Sequence, residues 1–339
     1  MELITPLIRS GGCDTVYVMP NLQPPITRVA DALAYHEKLT RLAPGVTFLM
    51  SLFLHPGLNA EVIAEAARTH LIRGVKLYPA GVTTNSQGGV LDIEQYYPVF
   101  SAMEEHGLIL NLHGEMQSSP PAAFAKADGL PAVTVLNAEP MFLPQLHKLH
   151  AAFPKLRIVL EHVAGTITAH HLWMTVDDWC GDVFSFCKPV AKTAEDRVAL
   201  VQAVVDGSGK FFFGSDSAPH PLQSKKGGTG GTAAGCFTQP WCTALVLGAL
   251  EEAISQGWIP EEKVTVEAIS GFLSSSGRAF YGLAPYRMAV ESSEGGRRKI
   301  RLQRKGERIG DVVRSPDGNI EVVPFGRGKE VFSLEWERC

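Results

Sequence analysis

Cysteine is sparse in this chain of 339 residues: there are six, scattered, and no two form a Cys-x-x-Cys pair. That pattern suggests neither a disulfide framework nor a cysteine-type zinc site, and it predicts reduced thiols. Long apolar runs are missing too. The longest, around Ala244–Leu250, is too short to span a bilayer. Met1–Gly12 lacks the cationic start and cleavable apolar core of a secretory signal, since Glu2 and Arg9 bracket it. Nor is charge of one sign concentrated: 31 Lys and Arg face 35 Asp and Glu, for a formal net charge of −4, which argues against nucleic acid as a general partner. The short basic stretches KKGG and GGRRK read as solvated loop or surface charge. These absences predict a cytoplasmic protein with no membrane and no nucleic-acid partner. Its 45% hydrophobic content suits a well-buried core.

What the chain does have is a regular alternation of β-type and helical patterns. Thr15–Met19 precedes a helical stretch at Val29–Leu42, and Thr47–Leu54 precedes another at Ala60–His70. Gly74–Tyr78 leads to Ile93–Glu105, and Leu108–His113 leads through a Pro-rich loop to a helix at about Pro140–Ala152. Leu156–His162 and Lys210–Asp216 complete the series. Strands separated by helices predict a parallel α/β sheet or barrel. Two features are irregular. Met1–Arg9 has helical spacing at Leu3, Ile4, Leu7 and Ile8, so the chain is expected to open on a helix with no strand before it. In LEHVAGTITAHHL no crossover fits between His162 and Thr166, although parallel neighbours need about a dozen residues or more. Either the second run is not a separate parallel strand, or a crossover is missing. At the end, Ile300–Leu302, Ile320–Val323 and Val331–Trp336, with SPDGN between, predict a small β appendage.

The chemistry lies at the ends of the β-type runs. Lys76, His113 with Glu115, Glu161 with His162, and Asp216 with His220 all stand there. In a (β/α)8 barrel of the TIM type the carboxyl ends of the strands share one face, so these residues would be neighbours in a metal-hydrolase site. Taken singly, each has a plainer reading. A histidine at a strand end is ordinarily structural, a lone lysine is ordinarily a surface cation, and Asp216 could cap a turn. Glu161 reads as a structural partner rather than a ligand. His170 and His171 would face opposite sides if TAHHL were a strand, and read as structural or supporting. His36, His55, His70, His106, His147 and His150 read as plain surface or core residues.

The order of the motifs overrides those single readings. VMPN at Val18–Asn21, KLYPAGVTTNS at Lys76–Ser86, HGE at His113–Glu115 and EH at Glu161–His162 are followed by GSDSAPH at Gly214–His220 and AGCF at Ala234–Phe237. The set resembles the single-function dihydroorotases of the amidohydrolase superfamily, most nearly in their fungal form, over almost the whole chain. The resemblance implies zinc-dependent, reversible cyclisation of N-carbamoyl-L-aspartate to L-dihydroorotate in pyrimidine biosynthesis, and a homodimer. It implies that Lys76 is carboxylated and bridges two zinc ions, that His113 and His162 bind one ion, and that Asp216 binds the other and is the general acid/base. It also implies that Asn21, His220 and the backbone at Ala234 hold the substrate, and that Thr83 and Thr84 lie on a loop that closes over it. The chemistry is coherent: zinc lowers the pKa of bound water to about 7, and a neighbouring carboxylate can take its proton and return it to the leaving nitrogen.

The sequence also departs from that family. An H-x-H-x-R motif ends the family's first strand, and no H-x-H occurs here. The family's segment after the strand ending at His162 is absent as well. The expected architecture is therefore an incomplete barrel over residues 1–285, lacking the first strand and one crossover, followed by a β extension over 286–339. At most one well-formed zinc site, severely reduced activity and reduced stability are expected. Two other readings stay open: a catalytically inactive scaffold or assembly protein, and a different cyclic amidase acting on hydantoins or allantoin.

Overall fold

The computed structural model describes residues 1–83, 85–120, 132–162, 165–227, 231–284 and 298–338. Thr84 and the expected boundary at 285/286 lie outside the described residues. The chain divides into two compact units, one of Thr15–Glu161 and one of Met1–Asp14 with His162–Cys339.

The first unit is a five-stranded parallel sheet in sequential order, β1 (Thr15–Tyr17), β2 (Thr47–Phe53), β3 (Ile72–Leu77), β4 (Ile109–Leu112) and β5 (Ile158–Leu160). The connections carry α1 (Val29–Leu42), α2 (Ala60–Arg68), α3 (Tyr97–His106) and α4 (Ala138–Ala152). β2, β3 and β4 are buried along almost their whole length because both faces of a parallel sheet are covered. Register places Phe53 beside Lys76, Lys76 beside Asn111, and Asn111 beside Val159. Since alternate residues share a face, Tyr78, His113 and Glu161 continue that row past the strand ends. Gly74 lets β3 and β4 approach: a Cβ there would stand 2.1 Å from the Ile109 carbonyl oxygen.

The expected elements of this unit are present, with shifted ends. α1 matches its predicted span, whereas the stretch from Ile93 begins as a 3-10 turn at Ile93–Tyr96 before α3 takes over at Tyr97.

In the second unit Met1–Asp14 is not the expected helix. It forms two 3-10 turns, Thr5–Leu7 and Arg9–Gly11, with Pro6 in the first and the left-handed Gly12 (φ 86°) ending the second. Proline removes a backbone donor and Gly12 turns the chain, so apolar spacing alone could not sustain an α-helix. β6 (Thr166–Ile167) pairs in parallel with β7 (Phe212–Phe213), not with β5. The run after His162 is thus no parallel neighbour of the run before it. The β6–β7 connection carries α5 (Val176–Cys180) and α6 (Ala194–Val204), ample for a parallel crossover.

Next come α7 (Leu222–Lys225), α8 (Cys242–Ser255), α9 (Val266–Ser270) and α10 (Ser276–Phe280). The apolar α8 is buried on most of its surface, with Ala244, Leu245, Val246, Ala249 and Leu250 in a core shared with Ile167, Leu172, Val201 and Phe272. The β appendage is present as β8 (Arg298–Gln303) with β11 (Ser333–Arg338), and β9 (Val313–Arg314) with β10 (Glu321–Val322), each pair antiparallel. Among the described residues the five cysteines are free, and no helix is long and apolar enough to cross a membrane.

Candidate active site

In the first unit the sheet gathers a buried polar cluster at the carboxyl ends of β3, β4 and β5. Lys76 is 1% exposed and pairs through Nζ with the Glu161 carboxylate, which also accepts from Asn111 Nδ2 at 2.9 Å. The ammonium lies 4.6 Å from the centre of the Tyr78 ring. Residues this polar are buried only when paired, and here strand register supplies the pairing. Glu161 is therefore a structural partner, as the sequence suggests, and specifically the partner of Lys76.

His113, immediately past β4, is held by its own loop. Its Nε2 donates to the Glu115 carboxylate at 2.6 Å, which places the ring's lone pair on Nδ1. A carboxylate behind a histidine in this way is the usual support of a metal ligand. Asn21 accepts from Asn85 Nδ2 through its backbone carbonyl at 3.0 Å. Thr83 is tied to Ser86, whose hydroxyl donates to the Thr83 carbonyl at 2.6 Å and accepts the Thr83 N–H at 2.9 Å.

The second unit brings together His162, Asp216, His170 and His171. His162 Nδ1 lies 3.3 Å from Asp216 Oδ2, and His170 Nε2 lies 3.9 Å from the same oxygen. His162 (φ 84°) and Asp216 (φ 39°) both occupy left-handed backbone, which costs energy for a side chain with a Cβ and tends to mark sites where geometry is imposed. Burial pushes the Asp216 carboxyl up, but the imidazole of His162, with His170 and His171, more than offsets this and holds it at about 2. Asp216 is thus an anion at neutral pH. His220 donates from Nε2 to the Ala234 carbonyl at 2.9 Å, and burial lowers its pKa.

TAHHL is a turn after β6, not a strand, so His170 and His171 do not face opposite ways. Both are buried, with ring centres 4.6 Å apart. With Cys187 they form a group whose possible ligand atoms all lie within 4.8 Å of one another. In the arrangement described, His171 is fully engaged, at Nδ1 by the Thr168 hydroxyl (2.7 Å) and at Nε2 by the Pro189 carbonyl (3.0 Å). Cys187 donates to that same carbonyl at 3.3 Å, and the neighbouring Cys236 thiol and burial keep it well above the ordinary thiol range. A cleft of about 310 Å³ lined by Trp173, Met174, Asp178, Asp182, Phe325 and Arg327 contains none of the candidate residues.

The sequence missed one residue here. Lys225, in the KKGG stretch read as solvated, is 4% exposed, and its Nζ donates to three backbone carbonyls. Nothing in a short basic run distinguishes a buried lysine, because its acceptors are backbone carbonyls, which carry no side-chain signature.

The amidohydrolase family model matches residues 20–240. The chain is 43% identical to the dihydroorotase of Saccharomyces cerevisiae, with 99% of this chain and 93% of that protein covered. It is 46% identical to the probable dihydroorotase of Schizosaccharomyces pombe, over 83% of this chain and 81% of the relative. A crystal structure of the Saccharomyces cerevisiae dihydroorotase in complex with 5-fluoroorotic acid aligns with a TM-score of 0.87 at 41% identity, covering 100% of this chain and 94% of that one. These matches agree with the parallel βα order of the sheet, so the fold is mixed α/β of the TIM-type amidohydrolase class. Dihydroorotases of this family are metal-dependent, and the residues described include one cluster able to hold an ion. The chain belongs to the amidohydrolase family, among its dihydroorotases.

Proposed function

We propose that this chain is a dihydroorotase, interconverting N-carbamoyl-L-aspartate and L-dihydroorotate for pyrimidine biosynthesis. One observation carries the reading: likeness to the yeast dihydroorotase over 99% of the chain, in which the ordered motifs retain a buried lysine, two histidines and an ionised aspartate.

The residues present fit a zinc ion in their chemistry. His113, braced by Glu115, and His162 offer imidazoles, and Asp216 offers a carboxylate. Lys76 as an ammonium has no lone pair to give. Carboxylation by carbon dioxide, with two protons released from the ammonium, would make it an anionic carbamate able to act as a ligand, and Glu161 would then be protonated or rely on Asn111. With no H-x-H in the sequence, we assign at most one zinc ion to the motif residues Lys76, His113 and His162, rather than two. Zinc, when bound, supplies Lewis acidity and a water whose pKa is lowered to about 7. Asp216, ionised at neutral pH, accepts a proton in the hydrolytic direction and returns it to the ring nitrogen that leaves. Asn21, His220 and the Ala234 backbone hold the substrate, and Thr83 and Thr84 belong to a loop that covers it. The barrel and the C-terminal extension act as one cytoplasmic enzyme, assembled as a homodimer.

The test is zinc content and turnover of the purified chain. The expected result is about one zinc per chain and metal-dependent turnover of dihydroorotate, which Asp216→Asn lowers by about 100-fold or more. A preference for a hydantoin over dihydroorotate would move the assignment to another cyclic amidase. No metal-dependent turnover, together with capture of a specific protein partner, would make the chain a non-catalytic scaffold.

A further inference from the structure

Lys225 ends α7, and its Nζ donates to the carbonyls of Phe186 (2.9 Å), Ala233 (3.0 Å) and Gly235 (2.9 Å). An ammonium has three protons, and here each has a backbone acceptor. The same loop is held by main-chain bonds on that side: Ala233 N–H donates to the Ser224 carbonyl at 3.0 Å, and Gly235 N–H donates to the Phe186 carbonyl at 2.9 Å. Both backbone groups of Ala233 and both of Gly235 therefore turn toward α7 and Phe186. Backbone groups alternate sides along an extended chain, and the carbonyl of Ala234 does face the other way, accepting from His220 Nε2 at 2.9 Å. There is no slack on the His220 side. A Cβ on Gly235 would come within 2.5 Å of the Ala218 carbonyl oxygen and 3.1 Å of His220 Nε2.

We propose that Lys225 is a positioning residue for substrate binding: by drawing the carbonyls of Phe186, Ala233 and Gly235 around one ammonium, it fixes the backbone of Ala234 and, through it, the ring of His220. This rests on the reading that His220 and Ala234 hold the substrate. Lysine suits the task because its compact ammonium has three freely rotating donors, whereas an arginine fork is planar and cannot converge on three carbonyls in the same way. Exact placement of binding groups matters because small displacements of substrate-holding atoms lower affinity and rate steeply.

The experiment compares the full chain with Lys225→Met, which keeps the stem and loses all donors, and Lys225→Arg, which keeps the charge. Amide hydrogen exchange at Gly235 should rise about tenfold or more in Lys225→Met while α8 is unchanged. The KM or Kd for dihydroorotate should rise about tenfold, with kcat within about twofold, and Lys225→Arg should recover part of the loss. A lower melting temperature with unchanged KM and Kd would reduce Lys225 to a merely structural residue and overturn the proposal, as would unchanged exchange at Gly235. If the wild-type chain binds no dihydroorotate, the functional reading falls, and exchange at Gly235 alone decides whether Lys225 holds the loop.

Discussion

His170 is fully buried and, among the described residues, makes no hydrogen bond from either ring nitrogen, although it lies 3.9 Å from an Asp216 oxygen. Burial, reinforced by His171, holds its pKa well below the ordinary value of 6.5. The native protein therefore refuses a proton that the unfolded chain accepts below pH 6.5. Its contribution to stability is complete above that pH and is lost as pH falls toward the folded pKa, at up to about 1.4 kcal/mol per pH unit. Urea midpoints for wild type and His170→Leu between pH 7 and pH 5, at roughly half-unit steps, should show a shallower decline in the variant. Equal slopes would refute this account of His170. At this scale the sequence singled out Lys76, His113, His162 and Asp216 as candidates, because each stands at or near the end of an apolar run. It did not identify Glu161 as the partner of Lys76 or distinguish Lys225 from its solvated neighbour, since those pairings are made by strand register and by loops distant in sequence.

At the scale of elements, the pairing of β3 with β4 sets Lys76 beside Asn111, and it depends on the missing side chain at Gly74. Gly74→Ala drives a methyl into the Ile109 carbonyl, so the strands must separate. A loss of about 3 kcal/mol is expected in chemical denaturation. Gly88→Ala, with nothing within 4 Å of the added Cβ, serves as the control and should stay near wild type. If Gly74→Ala were as stable as Gly88→Ala, close strand approach would not be what Gly74 provides. Strands and helices of the first unit were legible because their periodicities are local: α1 runs from Val29 to Leu42, as its spacing predicts. The N-terminal turns and the partner of β6 were not legible. Pro6 and Gly12 override an apolar period, and β6 finds its neighbour only after two intervening helices.

At the scale of the molecule, the two ends of the chain meet within one unit. Trp336 on β11 donates from Nε1 to the Arg9 carbonyl at 2.8 Å, and the Arg9 guanidinium lies 4.3 Å from the centre of its ring. Trp336→Ala should cost about 2 kcal/mol or more in unfolding free energy, while Trp336→Phe, which keeps an aromatic face for Arg9, should lose less. Equal losses in the two variants would assign the effect to the indole hydrogen bond alone. By itself the sequence determined the βα alternation, the order of the chemical residues and the family they point to, because each is written in residues adjacent along the chain. Only the tertiary structure decided that β6 joins β7, that Lys76 pairs with Glu161, that Lys225 is buried beneath Ala234, and that Arg9 rests on Trp336. Most of those contacts join residues far apart in sequence, the Lys225 contact spans only a loop, and a hydrogen bond or a packed ring carries no periodic trace in either strand of text that makes it.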